Sequence, residues 1–161
     1  MRIVRILAGI VVALLLGVGL LFLVARMGDG PMGPLPGGPL VAGERVTAPV
    51  SDWSFAESID EIEMQLAADA ISRTTWILVD GGRAFIPASL SFPPGKDWYR
   101  RADVDGAAWV RIEGRLYPVT LIRVRDEPTR DALKQIAAAK YAGGPPRSGE
   151  VWFFALQSRA S

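Results

Sequence analysis

Residues 6–25 form an uninterrupted apolar run without a charged or strongly polar side chain. At 1.5 Å rise per residue such a run spans about 30 Å, the thickness of a bilayer's hydrocarbon core. Backbone polar groups in lipid have no water to bond, so a spanning segment must satisfy itself as a helix. Gly9, Gly17 and Gly19 are compatible with this, since glycine is frequent in membrane helices. A cleaved signal peptide would carry a shorter apolar region, about 7–15 residues, ending in a small-x-small cleavage site. Leu23, Val24 and Ala25, followed at once by Arg26, match that poorly. A buried helix of a soluble domain is the other alternative, and the uninterrupted length argues against it. The expectation is a retained transmembrane helix over residues 6–26.

The flanks orient it. Arg2 and Arg5 precede the run, whereas Arg26 alone follows closely, offset by Asp29. The positive-inside rule then places residues 1–5 in the cytoplasm. The expected location is a bacterial-type inner (plasma) membrane, crossed once, with the C-terminal domain periplasmic or extracellular. Gly9, Ala13 and Gly17 share one helix face, a small-residue stripe suited to packing against another membrane helix.

Residues 28–43 follow as a linker in which ten of sixteen are glycine or proline. Such a stretch builds neither a helix nor a central strand. Taken as an extended spacer over 27–45 it reaches roughly 50 Å. The alternative is a strap lying along a partner, anchored by Leu35, Leu40 and Val41.

The domain is expected over residues 46–161, long enough for one hydrophobic core. Residues 61–66 alternate polar and apolar, the sign of a half-buried strand. Residues 74–79 are rich in β-branched and aromatic types; Asp80, Gly81 and Gly82 supply a tight turn, and residues 83–86 return as a strand. A second hairpin runs from 108–113 through a turn at Gly114 and Arg115 into 116–124. Pro118 lacks an amide donor, which predicts an edge or a bulge there. One helix follows, capped by Asp126 with Pro128 near its start, its core stripe on Leu133, Ile136, Ala137, Lys140 and Tyr141. Gly143, Gly144 and Pro145 are expected to stop it. Residues 151–156 show no alternation and read as a central strand. The fold class is mainly β with one or two helices (α+β): a small split-barrel-like domain behind a single transmembrane helix.

The chain has no histidine and no cysteine. That removes a Ser-His-Asp triad, a cysteine nucleophile, His/Cys zinc sites, disulfides and histidine- or cysteine-held haem. No P-loop pattern occurs. With Arg2, Arg5 and Arg26 set aside, the remainder carries 15 basic and 17 acidic residues, no electrostatic footprint for nucleic acid. Asp60, Glu61 and Glu63 read as a solvated strand face rather than a catalytic pair. The remaining chemistry is a basic and aromatic cluster, Lys96, Asp97, Trp98, Tyr99, Arg100 and Arg101, with Arg111, Arg115 and Tyr117 on the next hairpin as possible neighbours. Guanidinium forks suit phosphate or carboxylate, and Trp or Tyr stacks on a flat ring. The plainer account packs Trp98 in the core, leaves the arginines solvated and makes Tyr141 a packing residue.

Thr75-Trp76-Ile77, residues 83–87, Lys96 to Arg101, residues 110–119 and Lys140-Tyr141, in that order, resemble the split β-barrel flavin-binding superfamily. The resemblance covers residues 53–141 and is nearest to the small pyridoxamine-phosphate-oxidase-like and deazaflavin-dependent nitroreductase-like members. It implies a six-stranded split barrel, often dimeric, in which the phosphate of FMN or a deazaflavin is held by basic residues; the missing histidine and cysteine give the separate expectation of no haem and no metal. Lys96 with Arg100 or Arg101 would approach the cofactor phosphate, and Trp76 and Trp98 would line the pocket. Residues 91–95, Ser-Phe-Pro-Pro-Gly, stand where the family has a more polar run. Two functional expectations follow. One is a non-catalytic binding or accessory module of a membrane complex, in contact with lipid and with a membrane protein or a second copy. The other is a flavin- or deazaflavin-dependent oxidoreductase at the membrane.

Overall fold

The structure is a computed structural model that describes residues 2–141 and 149–160. It opens with helix α1, Arg2–Met27, exposed along almost its whole length. Within it Ile3–Met27, whose most apolar 18-residue stretch has a mean hydropathy of 3.0, is long and apolar enough to cross a membrane. The strands are β1 (Glu44–Arg45), β2 (Glu61–Leu66), β3 (Ser72–Trp76), β4 (Leu78–Asp80), β5 (Arg83–Ser89), β6 (Ala107–Ile112), β7 (Arg115–Arg123) and β8 (Val151–Ser158). Helix α2, Trp98–Val104, precedes β6, and helix α3, Glu127–Lys140, precedes β8.

The sheet runs β3-β2-β6-β7-β8-β5-β4, antiparallel throughout, with β1 added in parallel on β7. It forms a half-barrel, an α+β fold as the sequence implies. The expected continuous strand over 74–79 is instead two strands at opposite ends of the sheet, divided at Ile77. The Ile77 amide makes a last bond to the Asp60 carbonyl, in register with β2 and β3, and also donates to the Tyr141 hydroxyl; beyond it the chain passes to the other end of the sheet. This division, together with β1, brings the sheet to eight strands rather than the six of the resembled family.

Both hairpins exist. Gly81 and Gly82 sit at φ +56° and +75° between paired Asp80 and Arg83. The second turn is shifted by one residue from expectation: Ile112 pairs Arg115, so Glu113 (φ +48°) and Gly114 (φ +78°) form it. Two left-handed central residues match the right-handed twist of the flanking strands. Pro118 needs correction as well, because β7 is central. The Pro118 carbonyl accepts from Arg159 at 2.9 Å and the Leu116 carbonyl from Val46, both on the same flank of β7. Pro118 thus falls in the gap where β1 has ended and β8 is only beginning, and its missing donor leaves no bond unmade.

The concave face holds the larger core, including Met64, Ile86, Trp98, Tyr99, Val110, Val119 and Phe154. Helix α3 covers the opposite face of β4, β5 and β8 with Leu133, Ala137 and Tyr141 on Leu78, Phe85 and Phe153. Asp126 caps it by accepting from the Thr129 amide at 3.1 Å. The expected stop at Gly143, Gly144 and Pro145 lies outside the described residues.

Residues 28–43 do not stand off as a free spacer. They fold back over the outer face of β2, β6 and β7. The amides of Gly28 and Gly38 bond the Ala25 carbonyl at the end of α1. Gly37 exchanges two backbone bonds with Ser72 at the edge of β3, and the Ser72 hydroxyl donates to the Gly38 carbonyl. The Leu40 amide donates to the Gln65 side chain at 2.7 Å, and Arg45 lies over the Trp109 ring at 5.5 Å. Leu40 is buried while Val41 is exposed. The outer face presents Gln65, Trp109 and Leu116, and a sheet face with that much apolar surface is stabilised by cover.

Candidate functional site

Three neighbourhoods hold the chemistry. The first surrounds Trp98 at the start of α2. Its ring is buried against Tyr99 and Phe154 in the concave core. Arg73 comes from β3 with its guanidinium 5.5 Å from the Trp98 ring centre. Arg73 pairs with the fully buried Met64 across the ladder, which turns it toward the barrel interior. Burial, only partly offset by Asp69, lowers the Arg73 pKa to about 10. Its Nε has no hydrogen-bond partner among the described residues, and neither has Asp69 Oδ2, 3.8 Å from the other end of the fork.

Lys96 is close by. Burial and the positive charge of Arg73 both push its pKa below the ordinary lysine value, and its ammonium donates to the Phe92 carbonyl. Arg101 is held by Asp69 and, at 3.2 Å, by Asp97. Arg100 turns away and lies 5.6 Å over the Tyr99 ring. The structure therefore gathers Arg73, Lys96, Trp98 and Arg101, with two carboxylates already answering the cations. Arg73 was not singled out from the sequence. Its only signal was register with Met64, which requires knowing that the strand begins at Ser72.

Trp76 is not part of that group. It stacks on Tyr141 with ring centres 4.3 Å apart and planes 11° apart, on the α3 side of the sheet. Tyr141 is more than a packing residue there. Its hydroxyl bonds the carbonyls of Asp60 and Ile77 at 2.7 Å and accepts from the Ile77 amide at 3.2 Å. Lys140 adds bonds to the carbonyls of Ile59 and Ile77. The two ends of the sheet are stapled at this point.

The second neighbourhood is the strap clamp. Arg111 on β6 donates to Glu63 on β2 and to Asp29 at 2.7 Å, and reaches the Ala42 carbonyl at 3.0 Å. Asp29 accepts from the amides of Val41 and Ala42 at 2.6 and 3.2 Å. Arg111 thus serves the strap rather than the Lys96 cluster. Glu63 likewise is an ion-pair partner, not an idle solvated carboxylate.

The third is a groove of about 730 Å³ at the opposite end of β7 from α2. Val46, Val50, Phe55, Ile112 and Tyr117 line it, with Glu113 and Arg115 as its charged members. The Phe55 ring lies 27° from parallel to Tyr117 at 6.0 Å and is half exposed. Arg115 is paired with Glu44 at 3.3 Å, both well exposed. Arg115 and Tyr117 therefore lie apart from the Lys96 cluster, since α2 meets β7 at its other end through Asp103 and Arg123. No group of His, Cys, Asp or Glu suited to holding a metal ion occurs among the described residues.

Around the helix, an added Cβ at Gly9 or Gly17 would meet nothing within 4 Å, so that face of α1 is unoccupied among the described residues.

No family model and no curated protein matches the sequence. Among solved structures the fold is similar to a Listeria innocua protein provisionally assigned as a pyridoxamine 5′-phosphate oxidase. The likeness covers 62% of this chain and 82% of the other, at 14% identity and a TM-score of 0.44. At that distance it carries no argument about activity.

Proposed function

We propose that the chain is a membrane-tethered, non-catalytic binding module. In this reading α1 crosses a bacterial-type inner membrane with residues 1–5 in the cytoplasm, and the half-barrel stands on the periplasmic or extracellular side as an accessory subunit. Its partner is a membrane protein or a second copy, with the Gly9, Ala13 and Gly17 face as the place for helix packing. The observation that carries it is the strap: the segment leaving the helix is built into the outer face of the domain through Asp29 and Arg111. A domain fixed to its anchor suits a subunit better than a freely swinging enzyme. The residues also offer no histidine or cysteine for proton transfer or nucleophilic attack.

The test is fractionation and topology of the full chain. Resistance to alkaline carbonate extraction, protease access to the domain only from the outer side, and co-purification with a membrane assembly or as a dimer are expected. Release by carbonate would overturn the tether.

A second reading is favoured by Arg73, whose inward Nε has no partner among the described residues and lies beside Lys96. These two cations suit the phosphate of FMN or a deazaflavin, with Trp98 beside them. The cofactor would then supply the redox chemistry, and the chain would bind and orient it. Titration with FMN, followed at about 370–450 nm where flavins absorb, separates the readings. Stoichiometric binding lost in Arg73→Ala and Lys96→Ala would establish the flavin reading. Absence of binding by the folded protein would remove it.

A further inference from the structure

We propose that the strap seats the half-barrel directly on the bilayer surface, with its Met32–Leu35 turn lying in the interfacial layer of the lipid. This deepens the membrane-tethered reading and rests on it for the presence of the bilayer. The return of the chain to the helix end sets the depth. Ala25 closes the apolar run, and its carbonyl accepts from the amides of Gly28 and Gly38 at 3.3 and 3.2 Å. Backbones joined by such a bond lie about 5–6 Å apart. The polar layer outside the hydrocarbon core is about as thick, roughly 5–8 Å on each side. Gly38 therefore sits level with the end of the spanning segment instead of far out in water.

The crossing has no slack. A Cβ on Gly38 would run into the Gly28 carbonyl oxygen and stand 2.8 Å from that of Arg26, so strap and helix end touch backbone to backbone. Ala25 is fully buried beneath them. The Gly38 carbonyl accepts from the Ser72 hydroxyl, and Gly37 exchanges backbone bonds with Ser72, so β3 begins one further step from the helix end. The domain thus starts beside the bilayer rather than at the roughly 50 Å an extended spacer would allow.

Composition and bonding name lipid as what covers the turn. Asp29 is the sole charged residue between Met27 and Gly43, and its carboxylate is turned to Arg111. The side chains left outward around the helix end are apolar: Met27 is 82% exposed, Met32 47% and Val41 67%. They continue the apolar surface of α1, and burying them among headgroups is favourable where exposing them to water is not. The backbone is prepared for that layer as well. Met32 and Leu35 exchange both their amide-to-carbonyl bonds at 3.1 Å, and the Gly33 carbonyl accepts from the Thr74 hydroxyl at 2.7 Å. Pro31, Pro34 and Pro36 bring no amide donor that would need water.

The chain has no cysteine, so single cysteines can carry the probes. The experiment uses the full chain in nanodiscs of phosphatidylcholine, with a nitroxide on Leu14→Cys, Met32→Cys or Ser58→Cys. Ser58 is exposed and precedes β2 at the end of the sheet away from Ser72. Collisions with oxygen, which enters lipid, are compared with those of a water-soluble nickel chelate. Leu14→Cys should meet oxygen and not nickel, Ser58→Cys the reverse, and Met32→Cys should lose most of the nickel collisions that Ser58→Cys shows. A dye on Ser58→Cys should transfer energy to acceptors on lipid headgroups, and that transfer should fall in Gly37→Ala as the parted strap lets the domain ride outward. Far-UV circular dichroism checks that each variant is folded. Met32→Cys as open to nickel as Ser58→Cys, or transfer unchanged by Gly37→Ala in folded protein, would overturn the seat while Leu14→Cys in lipid keeps the tether. Leu14→Cys open to nickel would overturn the tether and the seat together.

Discussion

The Arg111 guanidinium on β6 bonds the Asp29 carboxylate at 2.7 Å, joining residues 82 positions apart. One side chain thereby fixes the segment that leaves the apolar helix to the middle of the sheet. Arg111 is only 13% exposed and holds Glu63 with the same fork. The two carboxylates raise its pKa, the hydrogen bond it donates to Glu63 first, against the effect of burial.

Replacing Arg111 with Met should release the strap. Asp29 and Glu63 would then face each other without a cation, and the amides of Val41 and Ala42 would lose a well-placed acceptor. The expected cost is about 1–3 kcal/mol, above an exposed ion pair and below a fully buried one. A lower urea midpoint and new protease cuts within residues 28–43 are the readouts. Because both residues act in one network, adding Asp29→Asn to Arg111→Met should cost little more. Unchanged protection of the strap in Arg111→Met would show that backbone bonds alone hold it.

Acid should open the same contact. Burial raises the Asp29 pKa, but the Val41 and Ala42 amides and Arg111 outweigh it and hold the carboxyl below its usual range. A group with a depressed folded pKa binds fewer protons folded than unfolded. Its contribution is complete above the unfolded value near 4 and is lost as pH falls through the folded pKa. Strap protection should be flat from pH 7 to about 5 and decline below about 4. In Asp29→Asn that decline should shrink, measured as the difference from wild type by hydrogen exchange of residues 38–43.

Close backbone approach gives a second handle. A Cβ on Gly37 would stand 1.7 Å from the Gly30 carbonyl oxygen and 2.3 Å from its carbon, and backbone cannot yield as a side chain can. Gly33 has open space around it and only its φ of +56° to resist substitution. Gly37→Ala should therefore part the strap from the edge of β3, at about 1–3 kcal/mol. Gly33→Ala should cost about 1 kcal/mol of backbone strain and leave the strap seated. Equal protease sensitivity of the two variants would contradict this packing.

The parts legible in the sequence are those decided by neighbours in the chain. The alternation of residues 61–66, the glycine pair at 81 and 82 and the Asp126 cap each depend on a few adjacent residues, and all three occur. Apolar length alone marked α1. Long-range register was not legible. Proline and glycine at 28–43 forbid a helix, but nothing local says that Asp29 meets Arg111 or that Gln65 needs the Leu40 amide. Arg73 was missed for the same reason, since its inward direction follows from pairing with Met64. Trp76 and Trp98 share a residue type but not a face, and composition cannot separate them.

The break at Ile77 yields the last prediction. Tyr141 closes the two ends of the sheet through its hydroxyl and stacks its ring on Trp76, and the two roles can be separated. Tyr141→Phe keeps the ring but removes the acceptor for the Ile77 amide and the donor to the Asp60 and Ile77 carbonyls. A loss of about 1–2 kcal/mol is expected, with faster hydrogen exchange at Ile77. Tyr141→Leu should cost about 0.5–1.5 kcal/mol more by removing the stack. Burial raises the Tyr141 pKa well above the ordinary phenol value. In an alkaline absorbance titration, Tyr141 should ionise later than an ordinary phenol, and that late step should vanish in Tyr141→Phe. If wild type shows no late step that Tyr141→Phe removes while the fold persists, the hydroxyl is not held as the geometry requires.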